Sequence, residues 1–364
     1  MDLTGFIEIL GEGGTAALIG LTAGLVFGFG AQRSRFCLRA AVIEFAHGHM
    51  GERVAVWLLV FTGAVALTQG LIWFGVLDVS EARQLSSRGS LSGALIGGLL
   101  FGSGMILTRG CASRLLVLSA NGNLRALVSG LIFAVVAQTS LRGQLAPLRQ
   151  WLASLWTIDG PQVRHALNLL GIGPEFGPLI GAVWFILAIA VAWRLRVRMG
   201  IAAGAVAVAA AVALGWYLTY TLSQQAFDPV GVESMSFSGP SADVLMFVLS
   251  PPGEALDFDI GLVPGVFLGS FLAAWAAGEL KLEGFQGGHA MRRYVAGAIM
   301  MGFGAMLAGG CAVGAGITGG SIFAVTAWVA LVGIWASAGI TDYLVDRESP
   351  AGKAGPAVSA GPAE

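Results

Sequence analysis

Apolar residues along this chain run in long stretches separated by short polar connections. Nine stretches of roughly 16 to 24 residues, the length that crosses a bilayer as a helix, run from Gly13 to Ala31, Val54 to Leu77, Ser92 to Thr108, Leu124 to Ser140, Gly177 to Trp193, Gly200 to Thr221, Gly261 to Gly278, Tyr294 to Gly309 and Ser321 to Ile340. They predict an all-α polytopic membrane protein of about nine transmembrane helices. The shorter stretches, with Gly-rich ends, fit re-entrant half-helices. A further apolar run, Val244 to Leu249, is too short to cross and predicts a segment that dips into the membrane and returns.

Composition agrees with this pattern. The chain is 56% hydrophobic and 11% charged, with a mean hydropathy of +0.79, more apolar than a soluble core of this length. Asp2, Glu8 and Glu12 precede the first stretch with no basic residue among them, which is not the flank of a signal peptide. Basic residues are retained on the cytoplasmic side. Arg33, Arg35, Arg39 and Arg53 follow the first stretch, and Arg194, Arg196 and Arg198 follow the fifth. The connection from Leu222 to Ile260 has no Lys or Arg but carries Asp228, Glu233, Asp243, Glu254, Asp257 and Asp259. The N-terminus is therefore expected outside and the C-terminus inside, although Arg142, Arg149 and Arg164 in the fourth connection run against the rule. Residues 1–345 read as one transmembrane domain. Residues 346–364, rich in Ala, Gly and Pro, read as a disordered cytoplasmic tail. The sequence has no phosphate loop, and a net charge of -1 gives nucleic-acid binding no support.

A repeat lies beneath the spans. Each of the three cysteines closes the phrase Gly, any residue, Gly, six residues, Cys: Gly28-Gly30-Cys37, Gly102-Gly104-Cys111 and Gly302-Gly304-Cys311. Adding 200 to Gly97, Gly102, Gly104 and Cys111 gives Gly297, Gly302, Gly304 and Cys311. The same shift carries spans two to four onto seven to nine, so one repeat covers about 13–140 and the other about 200–340, with the helix at 177–193 left over. Equivalent spans are five apart, an odd offset that predicts an inverted pseudo-twofold repeat, an arrangement that places substrate sites where the halves meet. The shift takes Cys37 to Phe237, within Met235-Ser236-Phe237-Ser238-Gly239-Pro240-Ser241, where Ser238 or Ser241 is expected to cap a short helix facing an anion.

Paired glycines allow close backbone approach or a departure from helical geometry, so each cysteine is expected on an irregular turn beside a helix end. Burial as a small apolar residue is the ordinary use of a lone Cys, but three in register read as one site. A disulfide would leave one thiol over, and Cys-x-x-Cys is absent. Three thiolates suit a soft metal ion, yet Arg33, Arg35 and Arg39 flank Cys37, while Arg109 and Arg114 flank Cys111. No metal or cofactor is expected. An anion carrying a soft sulfur would use both partners, guanidinium for its oxygens and thiol for its sulfur; Arg109, in Thr108-Arg109-Gly110-Cys111, is the foremost electrostatic candidate, with Arg33, Arg35 and Arg114 secondary.

Phe101-Gly102-Ser103-Gly104 through Gly110-Cys111-Ala112-Ser113, Gly302 through Gly310-Cys311-Ala312-Val313-Gly314, and Arg35-Phe36-Cys37 resemble the YeeE/YedE family, which includes TsuA-type thiosulfate transporters; the resemblance runs from about Gly14 to Ile340. It implies a bacterial inner-membrane transporter, not an enzyme, that imports thiosulfate for sulfur assimilation. By that resemblance Cys37, Cys111 and Cys311 are the functional cysteines; Arg109, Gly110, Gly310 and Ser236 are the further substrate-binding candidates, and neutral thiols are expected to pass the substrate along by S–H to S hydrogen bonds. The family also implies a small cytoplasmic TusA-like sulfurtransferase partner of the YeeD type. Another sulfur or selenium cargo, or a membrane sulfurtransferase forming a cysteine persulfide, remains the alternative.

Overall fold

The computed structural model describes residues 2–251, 253–284 and 288–345. The expected tail at 346–364 lies outside the described residues. Of the described residues 75% are helical, and nine helical segments among them are long and apolar enough to cross a membrane. In order they contain α1 (Thr4–Ser34), with the short α2 (Leu38–Ala46) after it, α3 (Glu52–Trp73), α4 (Leu91–Leu107) followed by α5 (Ala112–Ala120), α6 (Leu124–Arg142), α7 (Gly177–Arg194), α8 (Met199–Ser223), α10 (Phe258–Ala276), α11 (Gly288–Leu307) followed by a π-helical turn (Ala312–Thr318), and α12 (Val325–Val345). Between α8 and α10 lies the short α9 (Gly239–Leu249). A two-residue antiparallel pair, Gly89–Ser90 with Thr157–Ile158, is the one sheet among the described residues.

Two ends differ from the hydrophobic pattern. α1 starts at Thr4, and its first turns are set off by a non-helical Gly11 (φ 72°, ψ 173°). Contacts with the connection after α8 hold this extension: Gln225 accepts from the Leu3 amide at 2.7 Å and Glu12 from the Phe227 amide at 2.5 Å. The N-terminal segment and the acidic connection thus lie on the same face, as the six intervening spans, an even number, require. α3 ends at Trp73, short of Leu77, through a turn with Gly75 at φ 67°.

Small residues bring the helices into backbone contact, as membrane packing requires when lipid removes the hydrophobic drive between helices. A Cβ on Gly97 would lie 2.6 Å from the Gly304 oxygen, and one on Gly104 would lie 2.5 Å from the Gly297 oxygen. The reciprocal positions are as close, 2.7 Å from Gly304 to the Gly97 oxygen and 2.8 Å from Gly297 to the Gly104 oxygen. As one partner's number rises the other's falls, so α4 and α11 cross antiparallel. Their outer neighbours correspond as well: a Cβ on Gly98 of α4 would lie 2.6 Å from the Ala330 oxygen of α12, and one on Gly302 of α11 would lie 2.9 Å from the Phe133 oxygen of α6. α1 and α10 pack in parallel, with Gly20, Gly24 and Gly28 against Phe258, Leu262 and Val266.

Candidate functional site

Each cysteine occupies the same local structure. The helix before it closes with a hydrogen bond from the residue preceding the cysteine to a carbonyl five residues back: Phe36 to Ala31 at 3.1 Å, Gly110 to Met105 at 3.1 Å and Gly310 to Ala305 at 2.8 Å. This is the Schellman closure, which requires a left-handed residue next to the cap. Arg35 (φ 53°), Arg109 (φ 58°) and Gly309 (φ 80°) supply it, each two residues before its cysteine. The cysteine is then extended and serves as N-cap of the next element, with φ/ψ of -160°/112° at Cys37, -79°/171° at Cys111 and -76°/-175° at Cys311. Its carbonyl takes the first helical bond, from Ala41 at 3.2 Å, Leu115 at 2.9 Å and Ala315 at 2.8 Å. Three thiols therefore sit at three helix N-termini, where amide donors converge.

Cys111 and Cys311 are buried and Cys37 is half-buried. The Cys111 sulfur lies 3.3 Å from the Ser113 hydroxyl, and it is within electrostatic range of Cys37 and of Cys311. The Cys311 sulfur accepts from the Gly314 amide at 3.5 Å, and the amides of Val313 and Phe237 also act on it. Phe237 stands where the repeat places a cysteine; its buried ring packs on Phe27 with centroids 5.0 Å apart. The position that the 200-residue shift assigns to Cys37 thus holds an aromatic core residue whose backbone amide serves Cys311.

The segment before α9 is held against the π-helical turn. Thr318 donates to the Met235 carbonyl at 2.6 Å, Ser234 to the Val212 carbonyl at 2.6 Å, and Thr219 to the Glu233 carbonyl at 2.7 Å. Ser236 lies directly over Gly314, where any side chain would collide with it. The expected serine cap of α9 does not form: Ser238 occupies the N-cap position without a side-chain bond, and Ser241 donates backward to the Phe237 carbonyl at 2.7 Å. Pro240 in the first turn already removes one amide donor, and the α-region backbone of Ser238 (φ -87°, ψ -58°) is not that of a capping residue.

The arginines divide. Arg109 is exposed, because the left-handed backbone that closes α4 turns its side chain off the helix. Arg35 is also exposed and lies 3.4 Å from Glu279, whose other oxygen accepts from Gln32 at 2.7 Å. Arg33 and Arg35, with Arg198, Gln32 and Glu279, line a cavity of about 250 Å³ at the N-terminus of α8. Arg114 is half-buried in the first turn of α5, within electrostatic range of both Cys37 and Cys111. Gly110 and Gly310 are the closing donors described above. A Cβ on Gly310 would meet the Ala315 nitrogen at 2.6 Å, whereas one on Gly110 would meet Leu115 at 3.4 Å.

Sequence reasoning did not assign Ser113 or the Phe237 and Val313 amides to the thiols. The position of Ser113 beside Cys111 in the motif was the available signal. Glu44 accepts from the Val54 amide at 2.9 Å, tying α2 to the start of α3, and His47 pairs with the buried Asp342 at 3.0 Å. Among the described residues no group of three or more His, Cys, Asp or Glu side chains is arranged to hold a metal ion.

Comparison with known proteins gives these elements a family. A family model described as sulphur transport matches residues 33–340, a range that takes in all three cysteines. The thiosulfate transporter TsuA of Escherichia coli (strain K12) is 24% identical over 339 residues, covering 87% of this chain and 92% of the relative. The thiosulfate transporter TsuA of Spirochaeta thermophila is 27% identical over 340 residues, covering 88% of this chain and 98% of the relative. With nine apolar helices among its described residues and this match over most of its length, the chain is a multi-pass membrane protein that belongs to the sulphur-transport family.

Proposed function

We propose that the protein imports thiosulfate across the bacterial inner membrane for sulfur assimilation, passing it along Cys311, Cys111 and Cys37 by S–H to S hydrogen bonds. The observation that carries this reading is the threefold recurrence of one structure, a helix closure followed by a cysteine N-cap, with Cys111 in range of both other thiols. The relatives' names supply the cargo.

The antiparallel Gly97–Gly304 crossing supports an inverted repeat, with Cys311 and Ser236 serving the outer half and Cys111 and Cys37 the inner. Helix N-termini attract the dianion, while thiols are weak donors that let the substrate leave again. Sulfate presents an oxygen where thiosulfate presents sulfur, so the thiol contacts discriminate between them. Ser236 faces the anion's oxygens beside Cys311. Arg33, Arg35 and Arg109, exposed on the inner side, draw the anion toward the cytoplasm. The basic loops put the C-terminus there and the N-terminus outside. A TusA-like sulfurtransferase of the YeeD type receives the product.

Uptake of thiosulfate labelled at both sulfurs by proteoliposomes, followed by the intact mass of the protein, tests the reading. Both labels should arrive inside in equal amounts with the protein's mass unchanged. A persulfide mass addition, or separation of the labels, would replace transport with sulfur transfer.

A further inference from the structure

Arg114 is an anomaly on structural grounds. Its Nη1 is buried without a hydrogen-bond partner, and a buried guanidinium donor left unpaired is costly. It stands in the first turn of α5 (Ala112–Ala120), where the helix dipole disfavours a cation. The ionisable groups acting on it are the thiols of Cys37 and Cys111 and two further cations, Arg53 and Arg35. Burial, the helix dipole and the two neighbouring cations oppose this placement, which an anion beside the two thiols would relieve.

The second repeat sharpens the point. Adding 200 to Arg114 gives Gly314, where Ser236 fills the space a side chain would need. The cation belongs to the Cys37–Cys111 half alone. The other arginines near these turns are otherwise engaged or placed: Arg109 is exposed, Arg35 faces Glu279, and Arg125 donates to the Thr108 carbonyl at 3.0 Å and covers the Tyr294 ring.

We propose that Arg114 is the oxyanion-binding residue of the cysteine path, its guanidinium holding two oxygens of thiosulfate while the terminal sulfur moves from Cys111 to Cys37. This deepens the import reading and rests on it. The guanidinium fork matches two oxygens of a tetrahedral anion. Sulfate shares those oxygens, so Arg114 sets affinity for the anion and the thiols set the choice between the two.

The test is radiolabelled thiosulfate uptake by proteoliposomes of the full chain, with sulfate as competitor, for the unmodified protein, Arg114→Gln, Arg114→Lys and Cys111→Ala. Arg114→Gln should raise KM by about tenfold, the loss of one charge-assisted contact, with the maximal rate much less affected. Sulfate inhibition should weaken in the same proportion, a response that damaged packing would not produce. Arg114→Lys, which keeps the charge without the fork, should fall between the two. Cys111→Ala should instead lose uptake at every thiosulfate concentration, a loss that more substrate does not restore. An unchanged KM in Arg114→Gln overturns the proposal; if that variant does not fold, an unchanged KM in Arg114→Lys overturns the fork contact. No uptake by the unmodified protein would remove the thiosulfate reading itself.

Discussion

Gly97 and Gly304 meet backbone to backbone where α4 crosses α11, and Gly104 and Gly297 repeat the contact on the other side of the crossing. Any side chain at Gly304 would press on the Gly97 oxygen at 2.7 Å. Gly304→Val should destabilise the protein by about 1–3 kcal/mol or more, the ordinary cost of overpacking. Gly104→Val should act in the same direction because the contact is reciprocal. Thermal unfolding in detergent measures both, and an unshifted Tm in either would contradict this packing.

The two motif glycines should not respond alike. A Cβ at Gly310 meets the Ala315 backbone at 2.6 Å, whereas at Gly110 the nearest atom is a flexible Leu115 methyl at 3.4 Å. Gly310→Ala should therefore reduce uptake severely, by tenfold or more on an order-of-magnitude scale, while Gly110→Ala stays near normal. Parallel uptake assays at matched membrane levels decide it.

Ser236 and Gly314 form one unit. Gly314→Ala places a methyl within 2.9 Å of the Ser236 Cβ and against its hydroxyl. The expected result is displacement of the segment before α9 and loss of uptake. The double variant Gly314→Ala with Ser236→Gly should recover more uptake than the single change, a positive coupling that a double-mutant cycle reads directly.

Glu233 gives stability a pH dependence. Burial, followed by the negative charge of Asp257, pushes its carboxyl up from 4.5 to about 7, with Arg83 opposing and Asp243 adding to the rise. The folded state then binds a proton that the unfolded chain releases, so this contribution is fully present below about pH 4.5 and is lost as pH rises through about 7. Melting in detergent should show Tm falling between pH 5 and pH 8, and Glu233→Gln should flatten that slope.

The spans, the short helix before α10 and the turn at each cysteine were legible in the sequence, because apolar length and the spaced glycines report directly on backbone geometry. Which arginine stands half-buried near the thiols was not. Arg109 and Arg114 both flank Cys111, but backbone conformation separates them: Arg109, at φ 58°, is exposed, while Arg114, in the first turn of α5, is half-buried within electrostatic range of Cys37. A signal was present in Gly309, the repeat equivalent of Arg109, since glycine is the usual occupant of a left-handed closure. The Gly11 break in α1 was hidden for a different reason. Its cause is contact with the connection after α8, more than 200 residues away, as in Leu3 with Gln225.

The most direct test is uptake of radiolabelled thiosulfate by cells lacking their own thiosulfate permeases, comparing the unmodified protein with Cys37→Ala, Cys111→Ala and Cys311→Ala at matched membrane levels. A path through the thiols predicts import by the unmodified protein and its loss in the Cys111 and Cys311 variants. Robust import by all three variants would contradict it and leave the cysteines as packing residues.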